Sequence, residues 1–385
     1  MDIGNSGLHE LSVDDLFQGT TFLPDADHSR FEALLERVSQ NRYTNFVELY
    51  TELFQLFPQA PHLADFFEQA FNLIVPPSHE QRLIINDPVF QVWQVLTTHH
   101  VNLIITKKVA DTQALENMLL EFPHMLLRVK TTDRARTNDY CPPVYRFDVD
   151  PLVARVAPPS YEFPEDEATR KQLQRNGHSV NFFCDVVNIA LLRIERTWPA
   201  CREQFRKLVK SICYLPDGSF RSCSASRFTS VILLSNRDDS ILDLEESLVH
   251  EATHQLLYNI VEVCPVVKEE ASREASFTLP WSGQKRDFYG YFHAFFVYIA
   301  LVKYLGRVHS YPPRELQRAQ SRLVFILQGL IKALPDFEAS ADFTPQGRQL
   351  LENLAKEVRA LESQHAGLLV ISRSAGDGQL LGLTA

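Results

Sequence analysis

The stretch ESLVHEATHQLLY, residues 246–258, spaces apolar side chains at helical intervals around His250, Glu251 and His254, an HExxH pattern. In an α-helix, residues four apart lie about 40° apart around the axis and one turn apart along it. His250 and His254 can therefore aim two imidazoles at one ion, with Glu251 displaced to the side of the same site. The polar run DDSILDLEE, residues 238–246, supplies a start for this helix ahead of Leu248 and Leu257.

Outward from this helix the chain reads as mainly α. Apolar residues recur at three- and four-residue steps from about 28 to 75, again around 88–105 and through TQALENMLLEFPHML. Further helices are predicted at 166–176, 184–212, 241–258, 287–305, 313–334 and 345–364. Residues 1–20 look like a polar lead-in with one turn-like stretch, SVDDLF at 12–17, and a weakly structured tail closes the chain. SICYLPDGSFRSCSASRFTSVILLS, residues 211–235, breaks the helical period. PDGS is a turn sequence flanked by β-prone residues, so a small antiparallel β-sheet is expected there. The proline-rich stretch 138–166 is the best boundary. It separates a helical N-terminal region, 1–145, suited to substrate recognition, from a catalytic region, 146–385, holding the HExxH helix and a second ligand helix.

Bulk properties narrow the function. With 38 Lys and Arg against 48 Asp and Glu, the formal charge of −10 leaves no basic excess to neutralise phosphates, which argues against nucleic acid as a partner. The start, MDIGNSGLHELSVDDLF, has no cationic segment followed by an apolar run, so no secretory signal is expected. FHAFFVYIALVKYL is apolar but short and carries a histidine, which reads as a buried helix, with no membrane partner. The six cysteines are scattered without a CxxC pair, the pattern of reduced thiols in a cytoplasmic protein.

Two histidines rarely complete a metal site, so the third ligand decides the chemistry. Glu274, twenty residues after His254, has the spacing of the glutamate in thermolysin-like zinc peptidases. Glu251 would then be the general base. His293 is the other candidate. It sits among Tyr291, Phe292, Phe295, Phe296 and Val297, on a helix apolar nearly all round, whereas KEEASRE around Glu274 reads as a solvated helical face. Arg286 precedes His293 by seven residues. If one helix carries both, they share a face about 10 Å apart along the axis. A guanidinium there can hold a carboxylate through two hydrogen bonds.

LVHEATH at 248–254, Pro280-Trp281, Arg286, Gly290 and His293, in that order and spacing, resemble the HExxH-motif, 2-oxoglutarate-dependent peptide β-hydroxylases associated with ribosomally made, post-translationally modified peptides. The resemblance covers about 220–305. Ser282 stands where that pattern has arginine, and no proline follows Arg286. The resemblance implies a non-haem Fe(II) enzyme using 2-oxoglutarate and O2 to hydroxylate a side-chain carbon of a peptide, such as a ribosomal precursor. His250, His254 and His293 would be the iron ligands and Arg286 the anchor for the cosubstrate carboxylate. Glu251 would be a catalytic-site residue orienting a ligand histidine or a water.

Tyr289 and Tyr291 flank the region expected to take the cosubstrate, and Ser222, Ser224 and Ser226 alternate along a predicted strand that would line a peptide groove. A zinc peptidase is the first rival reading. A non-catalytic helical interaction protein is the second.

Overall fold

The computed structural model describes residues 11–75, 78–108, 111–135, 141–146, 150–158, 168, 179–216, 220–271 and 273–375. Residues 217–219 of the expected turn, the helix expected at 166–176 apart from Ala168, the chain before residue 11 and the tail from 376 lie outside these.

The described chain is mainly α. In order, its elements are α1 (Val13–Phe17), α2 (His28–Leu56), α3 (Ala64–Ile74), α4 (His79–Ile85), α5 (Pro88–Ile105), α6 (Gln113–Leu120), α7 (Phe122–Ala135), β1 (Val144–Arg146) and α8 (Pro151–Val156). They continue with α9 (Val180–Thr197), α10 (Pro199–Leu208), β2 (Ser211–Leu215), β3 (Ser222–Cys223), β4 (Val231–Ser235) and α11 (Ile241–Val263). The last are β5 (Phe277–Thr278), β6 (Lys285–Arg286), α12 (Phe288–Leu305), α13 (Pro313–Ala339), α14 (Pro345–Gln364) and α15 (Ala366–Ala375).

Local chemistry sets many of these boundaries. The stretch expected as a turn at residues 12–17 is instead helix α1. The Ser12 hydroxyl accepts from the Asp15 N–H and donates to the Asp15 carboxylate. The helix expected at 184–212 breaks after Thr197, because Pro199 disfavours the helical conformation at Trp198. Ser240 caps α11 in the same way as Ser12 caps α1, accepting from the Asp243 N–H at 3.2 Å and donating to its carboxylate at 2.7 Å.

The chain sorts into two compact units, each discontinuous in sequence, where the proline-rich stretch predicts one cut after residue 145. One unit, the sheet unit, comprises the described residues of Glu36–Arg193 and Gln204–Ser247. The other, the histidine unit, comprises those of Met1–Leu35, Ile194–Glu203 and Leu248–Ala385. The reason is packing. Tyr145, Leu152, Val153 and Val156, from just past the expected cut, share one core with Phe46, Phe90, Trp93, Leu215 and Val231.

In the sheet unit the strands order as β1-β2-β4-β3. β1, β2 and β4 run parallel, with Ile212 opposite Ile232, and β3 alone pairs antiparallel. The antiparallel arrangement expected for 211–235 therefore holds only at the β3 edge. SICYL and VILLS are buried at every position, and strands buried on both faces read as continuous apolar runs, as parallel strands do. The turn-like PDGS obscures this. Trp93 and Phe122, 4.7 Å apart, anchor the helical side of the core, and the Trp93 indole N–H donates to the Met118 carbonyl. Among the described residues, the wholly antiparallel sheet is the two-stranded β5–β6 hairpin of the histidine unit, with Phe277 opposite Arg286.

Helix α12 runs through the middle of the histidine unit. Every residue in it is buried except Tyr289, Gly290, Ala294 and Tyr298. It is long and apolar enough to cross a membrane by length and composition, yet most of it is buried inside this protein. Phe288, Phe292 and Phe295 pack edge-on or tilted against Phe337 of α13. At the other end of α12, Asp25 bridges three parts of the chain. Its carboxylate accepts from the Trp198 indole at 2.7 Å and from Arg307 at 2.6 Å, and lies 3.3 Å from Lys303. Lys303 is itself buried and pairs with Glu357 at 2.8 Å. The Arg307 guanidinium stacks on the Trp198 ring, 4.5 Å from its centre.

Candidate metal centre

Helix α11 explains how two histidines stay accessible inside a packed unit. From Leu244 to Ile260 every side chain is buried except His250, His254 and Tyr258, which recur at four-residue steps. Four-residue steps form one narrow stripe along a helix, so α11 is a core helix with a single open line. Helix α12 repeats the pattern with Gly290, Ala294 and Tyr298.

The two helices bring three imidazoles together. His250 and His254 approach Nε2 to Nε2 at 3.1 Å, and His254 and His293 approach Nδ1 to Nδ1 at 3.1 Å. The His254 and His293 rings lie nearly parallel, with centres 5.3 Å apart. The rings thus meet in series, with His254 in the middle using opposite nitrogens. Among the described residues no three His, Cys, Asp or Glu groups close on one centre.

Burial, and then the neighbouring histidine, holds the pKa of both His254 and His293 well below the ordinary imidazole value. Both rings are neutral at neutral pH, the form that ligates a metal. His293 Nε2 is buried with no hydrogen-bond partner. An orphaned buried nitrogen is costly, and a metal would satisfy it. The donor set therefore fits a transition metal that accepts imidazole nitrogen. Closure on one ion requires the His293 ring to offer a nitrogen on the side where His250 and His254 already face one another.

Aromatic rings wall the three histidines. Tyr258 stacks on His254 with centres 5.9 Å apart and lies 5.1 Å from His293. Tyr289 is 4.6 Å from His293, and Tyr298 is 6.0 Å from His250. Burial, followed by the Asp287 charge, pushes the Tyr289 phenol up to about 12, so it stays a neutral donor. Trp281 lies 4.4 Å from Tyr298 and is fixed from behind, its indole N–H donating to the Ile326 carbonyl at 3.0 Å. Gly329 of α13 makes this possible, since a Cβ there would overlap the indole. The Pro280-Trp281 motif thus shapes a wall of the site. Tyr258, Tyr298 and Ala294 were not singled out by the sequence. For Tyr258 a signal existed, its place as the third member of the four-residue series that starts with His250 and His254.

The other sequence-predicted residues divide. Glu251 is buried beside His250 on the packed side of α11. Glu274 is exposed, in an irregular segment before β5 rather than on a solvated helix. Arg286 is not on the helix of His293. It lies in β6, because Asp287 caps α12 by accepting from the Gly290 N–H, so the two-turn spacing expected of Arg286 and His293 does not apply. Its guanidinium is exposed and donates to Gln284 Oε1 at 2.9 Å. Its Cδ nonetheless lies 3.3 Å from where a Cβ of Gly290 would stand, which puts the Arg286 stem over α12 one turn before His293.

Tyr291 faces elsewhere, its hydroxyl donating to Asp336 at 3.0 Å. Ser222 is in β3, whereas Ser224 and Ser226 follow outside the strand, so the expected alternation along one strand is not realised.

No protein-family model and no curated protein matches this chain.

Proposed function

We propose that the protein is a non-haem Fe(II), 2-oxoglutarate-dependent oxygenase that hydroxylates a side-chain carbon of a peptide, with His250, His254 and His293 as the iron ligands. The observation that carries this reading is the meeting of His293 with His254 of the HExxH pair, together with the exposed position of Glu274, the carboxylate a thermolysin-like zinc site would need. When bound, the iron would supply activation of O2 coupled to oxidative decarboxylation of the keto acid.

The protein's own residues supply position and exclusion. Three neutral imidazoles leave the metal its full positive charge, unlike the usual set of two histidines and one carboxylate. Tyr258, Tyr289, Tyr298 and Trp281 limit water around the histidines and offer flat apolar surface to a substrate side chain. Gly290 and Ala294, the small members of the open line on α12, leave room for it. Arg286, whose stem lies beside Gly290, is the cation nearest in sequence to His293 and would take the far carboxylate of the keto acid. The buried Glu251 orients a ligand histidine or a bound water, since this chemistry needs no general base.

The test is anaerobic reconstitution with Fe(II) followed by 2-oxoglutarate. A weak visible charge-transfer band is expected, absent in His293→Ala and retained in Glu274→Ala. Zinc-supported peptide cleavage without such a band would assign the site to a hydrolase instead.

A further inference from the structure

The sheet unit carries a surface that the proposed chemistry does not use. On α2, Phe46, Leu49 and Leu53 are buried in the core. Beside them Tyr43, Val47, Tyr50 and Phe54 form a second apolar line at steps of four, three and four, none of it buried. Helix α3 repeats this arrangement. Phe66, Ala70 and Leu73 face the core, while Phe67, Phe71 and Ile74 form the second line, with Val75 just beyond the helix. One apolar stripe is enough to hold a helix on a core; in the second line Tyr43, Tyr50, Phe67 and Ile74 still lean on that core, whereas Phe54, Phe71 and Val75 are exposed and surplus to folding.

The two outer lines face each other. Tyr50 lies 6.4 Å from Phe54, 5.9 Å from Phe67 and 6.5 Å from Phe71, and Phe54 lies 5.7 Å from Phe67. The Tyr43 hydroxyl donates to the Ile74 carbonyl at 2.7 Å and pins the helices together. The result is a rigid aromatic trough on an αα-hairpin, with Phe54 55%, Phe71 51% and Val75 52% exposed. Clustered exposed aromatic side chains of this kind mark an interaction site.

Charge identifies the occupant. From residue 43 to residue 81 there is no Lys or Arg, but there are Glu48, Glu52, Asp65, Glu68 and Glu80. Glu48, Asp65 and Glu68 are exposed. The nearest arginine in sequence on the α4 side, Arg82, is paired with Glu36. The acidic hairpin repels nucleic acid and anionic membrane, and it repels a second copy of itself, because two such faces would bring their carboxylates together. We infer that the α2–α3 trough docks a cationic amphipathic peptide helix, its apolar side chains on Tyr50, Phe54, Phe67 and Phe71 and its Lys or Arg residues against the flanking carboxylates.

The test needs neither metal, cosubstrate nor oxygen, so its outcome is separate from that of the oxygenase reading. The probe is a fluorescein-labelled amphipathic helical peptide with one leucine face and lysine flanks, titrated with the full chain and followed by anisotropy. Saturable binding is expected, weakened by salt and reduced at least about tenfold in the double variant Phe54→Ser, Phe71→Ser. Glu68→Lys should weaken it by a smaller factor, and the same peptide with glutamate flanks should not bind. Both substituted phenylalanines are half exposed, so circular dichroism should show the double variant folded. Equal binding of the lysine peptide by wild type and double variant would overturn the proposal. So would a wild-type dimer that the double variant abolishes, since the trough would then be a self-association face.

Discussion

Helices α11 and α12 and helices α2 and α3 break the ordinary pattern of inside and outside in opposite senses. In α11 and α12 polar groups stand inside: His254, His293 and Glu251 sit on helices nearly all of whose side chains are buried. In α2 and α3 apolar groups stand outside, with Phe54 and Phe71 more than half exposed at the rim of the core. A buried polar group and an exposed apolar cluster are both more informative than the rule they break. The first points to chemistry that needs a dry, shaped environment, and the second to recognition that needs a flat, wet one.

Substitutions should separate these two kinds of anomaly. His293→Ala should have the largest effect, abolishing metal uptake measured by elemental analysis while leaving the circular dichroism spectrum helical. Retention of stoichiometric metal would break the assignment of α11 and α12 as a metal site. Asp25→Ala, which strips partners from Trp198, Arg307 and the buried Lys303, should cost about 3 kcal/mol of stability in urea unfolding. That is the lower end for a buried ion pair, because Asp25 is itself partly exposed. Gly329→Ala should cost about 1–3 kcal/mol by overpacking against Trp281, with a shift in tryptophan emission as the indole moves. Phe54→Ser should stay within about 0.5 kcal/mol of wild type in the same unfolding assay, a contrast that marks the α2–α3 surface as unneeded for folding. Glu274→Ala should change neither stability nor metal content measurably.

The parts of this architecture legible from sequence were those governed by local periodicity. α12, α13 and α14 fall within a few residues of their expected positions, and the pairing of His250 with His254 follows from helical spacing alone. His293 was found because a histidine among phenylalanines is anomalous whatever surrounds it. Features set by long-range pairing were hidden. SICYL and VILLS are compatible with either strand direction, and nothing within them shows that β2 lies parallel to β4. Arg286 was misplaced for a related reason. A seven-residue spacing looks helical, but the carboxylate of Asp287 begins the helix one residue too late to include it. The aromatic walls at Tyr298 and Trp281 come from separate segments, and their contact depends on the missing side chain at Gly329 in a third.

The carboxylate of Asp25 accepts from Arg307, a residue 282 positions further along the chain. On the ribosome, Asp25 is made long before Lys303 and Arg307, and of these partners only Trp198 is present until that later segment has emerged. The histidine unit therefore cannot close around Asp25 until the segment carrying Lys303 and Arg307 has been made. A premature stop, or a recombinant fragment beginning after residue 145, leaves that closure without its latch.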